Sequence, residues 1–264
     1  MAYYNPPAVG GDRAVPVGPA QGGLGWLLPV AIALVLAGLM FAFSPLMVNG
    51  DGWEKACVLV LVETEPGSGA LGSGFVFSPK GYIMTNRHVL AKGEGEPKGE
   101  IECEVVLNSG TPSKQVLPAR AVDWGRGPAT GPQTMANDWA VLKVESQKPL
   151  QYLPVADSGG VTRETKVVAA GFPGGFDRAA SGNGPSLAVQ EGIIRDLVMD
   201  QGGGVVVFDH SATVKHGNSG GPLMTADHRV IGINTAINEE SAANYAIPTH
   251  RLVDVWRKYG AKSQ

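Results

Sequence analysis

Short apolar runs separated by glycine, proline and asparagine fill this chain from Ala56 to Pro248, and they leave few folds open. "ACVLVLVE" (56–63), "IECEVVLN" (101–108), "PARAVDW" (118–124) and "DWAVLKV" (138–144) are each too short for an ordinary helix. Their β-branched content makes them strands. "GSGFVFSPKGYIMTNRHVL" (72–90) sets two such runs around Pro79-Lys80-Gly81, which predicts a hairpin. A second series follows in "TKVVAAGF" (165–172), "LAVQEGIIRDLV" (187–198), "GVVVFDH" (204–210), "GPLMTADHRVIGINTAI" (221–237) and "ANYAIP" (243–248). The 37 glycines agree with this reading, because helix-rich chains rarely hold so many. Only "THRLVDVWRKYG" is helical in pattern. It begins after Pro248, puts Leu252, Val253 and Trp256 on one face, and stops at Gly260. The pattern predicts an all-β domain over 49–264. It would form two packed barrels, about 52–155 and 156–248, followed by a C-terminal helix over 249–260.

The beginning of the chain has a different texture. Residues 1–23 are rich in Pro, Gly and Ala without apolar periodicity, and are expected to form a disordered tail. "LGWLLPVAIALVLAGLMFAF" (24–43) then runs without a charge, and the uncharged stretch continues to Gly50. About 20 apolar residues in a helix cross a bilayer. A buried core helix would be shorter with a polar face, and a cleaved signal would be shorter and nearer the start. A single transmembrane helix over 24–48 is therefore expected. Arg13 before the span and Lys55 after it encode orientation only slightly. The expected arrangement has the N-terminus in the cytoplasm and residues 51–264 outside it.

A net charge of −3 gives no reason to expect a nucleic-acid partner. Two cysteines, Cys57 and Cys103, are too few for a disulfide framework and match no zinc spacing. An extracytoplasmic location would permit a bridge between them, and two buried free thiols fit the sequence equally well. His210, His216, His228 and His250 fall in separate segments without a ligand spacing, so no metal and no cofactor is expected.

Three positions bear reactive side chains in suggestive places. His88 ends a predicted hairpin, Asp138 precedes an apolar strand, and Ser219 sits in "KHGNSGGPLM" (215–224). Each alone has a bland reading as a surface, turn or loop residue. Together they form a set with one chemistry. An alcohol needs a base to become a nucleophile at neutral pH, and a neutral imidazole suits that role. A carboxylate fixes the imidazole tautomer and stabilises its cation. Gly217 and Gly220 would let the serine turn adopt φ > 0, leaving backbone N–H groups to meet an oxyanion. His88 and Asp138 fall in the first predicted barrel and Ser219 in the second, so a cleft between barrels would join them.

The motifs "GSGFVFSPKGYIMTNRHVL", "NDWAVLKV", "AAGFPGG", "GNSGGPLM" and "VIGINTAINEESAANYAIP" resemble the protease domain of trypsin-like serine proteases of the HtrA/Deg type. The resemblance spans about residues 56–258. It implies a chymotrypsin-like double β-barrel, with His88 as general base, Asp138 as its orienting carboxylate and Ser219 as nucleophile. It also implies an oxyanion hole from the Gly217 and Ser219 amides, helped by Asn218. Thr213, six residues before the nucleophile, would lie at the base of the substrate pocket. Asn234, Thr235 and Ala236 would form its wall and bond an extended peptide. Small or medium aliphatic side chains are then expected at the cleavage position. The resemblance implies protein or peptide substrates and a homotrimer.

Three departures qualify it. The chain stops soon after its helix, where many relatives continue into a peptide-binding PDZ domain. The stretch from Gly93 to Asn137 is longer than usual and reads as exposed loops. Lys215-His216 stands where relatives often have Asn-Pro. His216 is close enough to invite a second-base role, which His88 already fills. Rotation of the His216–Gly217 peptide would withdraw one oxyanion donor, so conformational regulation of the site is expected. Two functions follow. One is a membrane-anchored serine endopeptidase acting on misfolded or regulatory proteins. The other is a protease-like, non-catalytic subunit of a membrane complex.

Overall fold

The computed structural model describes residues 52–65, 68–91, 101–127, 135–174, 182–238 and 242–261. The expected tail and membrane span, residues 1–48, lie outside them. Among the described residues no helix is long and apolar enough to cross a membrane.

Twelve strands among the described residues close into two antiparallel barrels. The first contains β1 (Cys57–Glu65), β2 (Ser68–Ser78), β3 (Tyr82–Thr85), β4 (Glu102–Leu107), β5 (Gln115–Trp124) and β6 (Ala140–Val144), in the order β1-β2-β3-β6-β5-β4. The second contains β7 (Lys166–Gly171), β8 (Ala188–Met199), β9 (Val205–His210), β10 (Pro222–Met224), β11 (Val230–Asn238) and β12 (Ala243–Pro248), in the order β10-β11-β12-β9-β8-β7. Closure leaves no free sheet edge, so backbone groups within each barrel are paired. The hairpin predicted at Pro79-Lys80-Gly81 joins β2 to β3, with Gly81 at φ 83°, a left-handed value that glycine adopts without strain.

Val58, Val60, Ile83 and Leu142 belong to the first barrel's buried core, which continues through Leu59, Phe75 and Phe77 to Trp256 of the C-terminal helix. The second is filled by Ala169, Ile194, Phe208, Leu223 and Ile231. The segment between the barrels is fixed to both. The Leu153 amide donates to the Val76 carbonyl at 2.9 Å, and Val155 forms a parallel bridge with Val230.

The C-terminal helix differs from its expected form. Thr249–Leu252 is a 3₁₀ turn, and the α-helix proper is Val253–Tyr259. The tighter first turn shifts the helical phase. Leu252 and Trp256 are buried, but Val253 is 46% exposed and leaves the apolar face assigned to it. Trp256 packs edge-on against Phe77 at 5.2 Å, and its indole N–H donates to the Thr249 carbonyl at 2.8 Å. Lys258 Nζ and Tyr259 Oη both donate to Asp123 Oδ2 on β5, at 2.8 and 3.1 Å. The helix therefore leaves the second barrel and fastens onto the first.

Both cysteines are buried free thiols. The β1–β4 register sets Leu61 opposite Glu104, and its continuation sets Val62 opposite Cys103. Cys57 is five residues along the strand from that point, about 17 Å at strand spacing. Alignment of the strands thus keeps the thiols apart.

Candidate active site

His88 lies in a one-turn helix, Arg87–Leu90, that follows β3. Asp138 follows the 3₁₀ turn Met135–Asn137 and precedes β6. Antiparallel pairing of β3 with β6, Thr85 opposite Ala140, brings the two together. His88 Nδ1 donates to Asp138 Oδ2 at 2.6 Å, and the His88 amide donates to Oδ1 at 2.9 Å. This assigns the ring proton to Nδ1 and leaves Nε2 as a base. The carboxylate is nearly buried at 5% side-chain exposure, whereas the imidazole is 47% exposed.

Two buried neighbours hold this pair. Asn86 Nδ2 donates to the Asp138 carbonyl at 2.6 Å. Arg87 Nη1 donates to the Gly125 and Gly127 carbonyls at 2.8 and 2.7 Å, and the Gly125 amide donates to the Trp139 carbonyl at 2.9 Å. The loop before Asp138 is thereby tied to the turn that presents His88. Sequence reasoning passed over both residues, although "TNRH" places them immediately before the histidine.

Ser219 is presented by a tight turn of the second barrel. The Asn218 amide donates to the Lys215 carbonyl at 2.9 Å and the Gly221 amide to the Asn218 carbonyl at 3.0 Å. Gly217 has φ 99° and Gly220 φ 89°, the left-handed values that the sequence pattern requires. Ser73, at the centre of β2, clamps this turn from the other barrel. Its Oγ donates to the Gly217 carbonyl at 2.6 Å and accepts from the Phe172 amide at 2.8 Å, while its own amide donates to the Ser219 carbonyl at 2.8 Å. No short-range pattern announces Ser73, because its partner at Gly217 is 144 residues away.

The Gly217 and Ser219 amides donate to no other group among the described residues. The His216 carbonyl accepts from the Gly174 amide at 3.2 Å. A trans peptide holds its C=O and N–H on opposite sides, so the Gly217 N–H faces away from Gly174. Asn218 is buried with an unpartnered Oδ1.

Thr235 occupies a β-bulge between Asn234 and Ala236 on β11. A bulge redirects a side chain. Here Thr235 Oγ1 donates to Asp138 Oδ2 at 2.6 Å, onto the same oxygen that His88 engages. Its carbonyl accepts from Ser219 Oγ at 3.3 Å. Thr235 thus links the carboxylate of one barrel to the serine of the other, beyond the pocket-wall role that the sequence reading gave it.

A cavity of about 290 Å³ opens beside Ser219, bordered by His88, Val214, Lys215, His216, Asn218, Asn234 and Thr235. Thr213, expected at the base of the pocket, is exposed and does not border it. The extended segment alternates, with Ala212 and Val214 inward and Ser211 and Thr213 outward, so Val214 supplies the apolar wall. Asn234 borders the cavity, but its amide donates to the Gly221 carbonyl at 2.9 Å and its carbonyl accepts from the Gly220 amide at 2.8 Å. Its backbone is therefore not free to bind a peptide. Ala236 pairs with Tyr245 of β12.

The histidines considered for a metal are dispersed. His228 stacks on Trp53 at 4.6 Å, and His250 Nδ1 meets Ser158 Oγ at 2.9 Å. His210 is fully buried in the second barrel, and His216 borders the cavity. Among the described residues no three His, Cys, Asp or Glu side chains are grouped to hold a metal ion.

A trypsin-like peptidase domain family model matches residues 72–233. The chain belongs to this family. Its trypsin-like domain is of the HtrA/Deg type by its relatives. It is 32% identical over 198 residues to the "Probable periplasmic serine endoprotease DegP-like" of Rickettsia conorii, covering 72% of this chain and 34% of that protein. It is 30% identical over 184 residues to "Serine protease HTRA3" of Homo sapiens, covering 69% and 36%. The chain thus spans about a third of the length of these curated relatives. Among solved structures, the trypsin-like domain superposes on the crystal structure of Deg5 with a TM-score of 0.56 and 25% identity, covering 84% of this chain and 92% of that one.

Proposed function

We propose that this protein is a membrane-anchored serine endopeptidase that cleaves protein substrates through an acyl-enzyme. The observation that supports it best is the 2.6 Å His88–Asp138 bond, set at the mouth of the same cavity as Ser219. In this mechanism Ser219 Oγ rotates from its long bond with the Thr235 carbonyl toward His88 and attacks the scissile carbonyl carbon. His88 Nε2 takes the hydroxyl proton, and Asp138 stabilises the resulting imidazolium. The Gly217 and Ser219 amides stabilise the oxyanion. His88 then gives its proton to the leaving amine, and water hydrolyses the ester by the same route in reverse. Val214 fits an aliphatic side chain at the cleavage position.

Anchoring rests on the uncharged run from Leu24, and an extracytoplasmic domain accords with the periplasmic relative from Rickettsia. Homotrimer formation remains part of the proposal through family resemblance. Labelling of the full-length protein by a fluorophosphonate tests the catalytic reading. Labelling that disappears in both Ser219→Ala and His88→Ala is the expected result. A correctly folded native protein that takes no label would favour the non-catalytic subunit instead.

A further inference from the structure

We infer that Lys215 makes the cleft selective for peptides with a carboxylate close to an aliphatic cleavage residue. The inference names a substrate class for the proposed peptidase and so rests on that reading.

Lys215 and His216 border the Ser219 cavity and both are exposed. Their carbonyls are committed to the Asn218 and Gly174 amides, so the main chain of both is held in place. Lys215 forms no ion pair among the described residues. Among the described residues no carboxylate borders the cavity. Asp138, behind His88, is buried and engaged by His88 and Thr235. Lys215 therefore brings a positive charge to the described part of the cleft, in a chain whose net charge is −3.

Size limits where the matching charge can lie. A cavity of about 290 Å³ holds one or two side chains. An extended peptide advances about 3.3 Å per residue. An acid that meets Lys215 thus lies within about two residues of the scissile bond. Val214 offers the cavity's apolar wall, which suits an aliphatic side chain there. An exposed charge pair of this kind alters binding by a factor of about two to five at low salt, less as salt screens it.

The test uses the full-length protein in detergent and three peptide sets with one aliphatic cleavage residue. Glu, Gln or Lys is placed in turn at each of the two positions on either side. Binding is measured by fluorescence anisotropy with Ser219→Ala protein, and kcat/KM with the native protein. The expected result is about two- to five-fold tighter binding of a Glu peptide than its Gln counterpart at low salt. That preference should shrink at high salt and reverse toward Lys in a Lys215→Glu background. Equal binding of Glu and Gln peptides at every position would overturn the inference, as would an unchanged preference in Lys215→Glu. A Glu preference in binding, with no fluorophosphonate labelling of the native protein, would support the acidic-peptide site and reject only the catalytic reading.

Discussion

Thr235 Oγ1 and His88 Nδ1 converge on one oxygen of Asp138, each at 2.6 Å, from opposite barrels. The carboxylate is thus oriented from both sides of the cleft. Thr235→Val keeps the shape and removes the donor, and should lower kcat/KM by about ten-fold with little change in KM. Thr235→Ser restores the hydroxyl and should recover most of the rate. Steady-state kinetics on a peptide substrate checks both variants.

Replacing the carboxylate itself should cost much more. Asp138→Asn removes the charge that stabilises the imidazolium and disturbs the Nδ1–H tautomer. A fall in kcat of about 10⁴ is expected. A drop of ten-fold or less would mean that Asp138 does not orient the base.

Ser73 should matter for stability as well as rate. Ser73→Ala leaves the Gly217 carbonyl and the Phe172 amide without their partner in a buried region. A loss of about 3 kcal/mol is expected from two unpaired groups. Urea unfolding should show it, together with slower fluorophosphonate labelling.

His210 predicts how stability responds to acid. It is fully buried, and burial, aided by the Arg195 charge, outweighs its contacts with Asn234 and Ala212 and pushes its imidazole down to about 4. The unfolded imidazole has its ordinary value near 6.5. Between these values the unfolded chain binds the extra proton, so falling pH favours unfolding. Stability from this group is complete above about 6.5 and lost progressively as pH falls to about 4, by about 3 kcal/mol in total. His210→Leu should flatten that part of the profile in chemical denaturation. An unchanged slope would assign the acid sensitivity to other groups.

The thiols give a further check. Burial raises the Cys57 thiol and pushes Cys103 up to about 12. Neither should react with an aromatic disulfide reagent in the native state, and both should react in denaturant.

The strands were legible because β-branched runs and turn residues are local signals. The Pro79-Lys80-Gly81 turn is an example, since glycine there meets a left-handed backbone requirement. His88, Asp138 and Ser219 were legible as residue types whose chemistry requires one another. Val253 was misplaced because a 3₁₀ first turn alters the phase that a simple helical wheel assumes. Thr213 was placed in the pocket by counting from the serine, whereas the alternation of the extended chain turns Val214 inward. The roles of Ser73 and Thr235 depend on partners 144 and 97 residues away, a separation that periodicity does not register. Thr235 also needs a bulge that no glycine or proline marks.

The split of the site between barrels bears on how such a chain is made. His88 and Asp138 emerge from the ribosome well before Ser219, and the serine turn needs Ser73 of the first barrel for its shape. Under the proposed mechanism, a half-synthesised chain therefore holds base and carboxylate without a nucleophile. The proposed peptidase would be disarmed until its second half has been translated and has folded against the first.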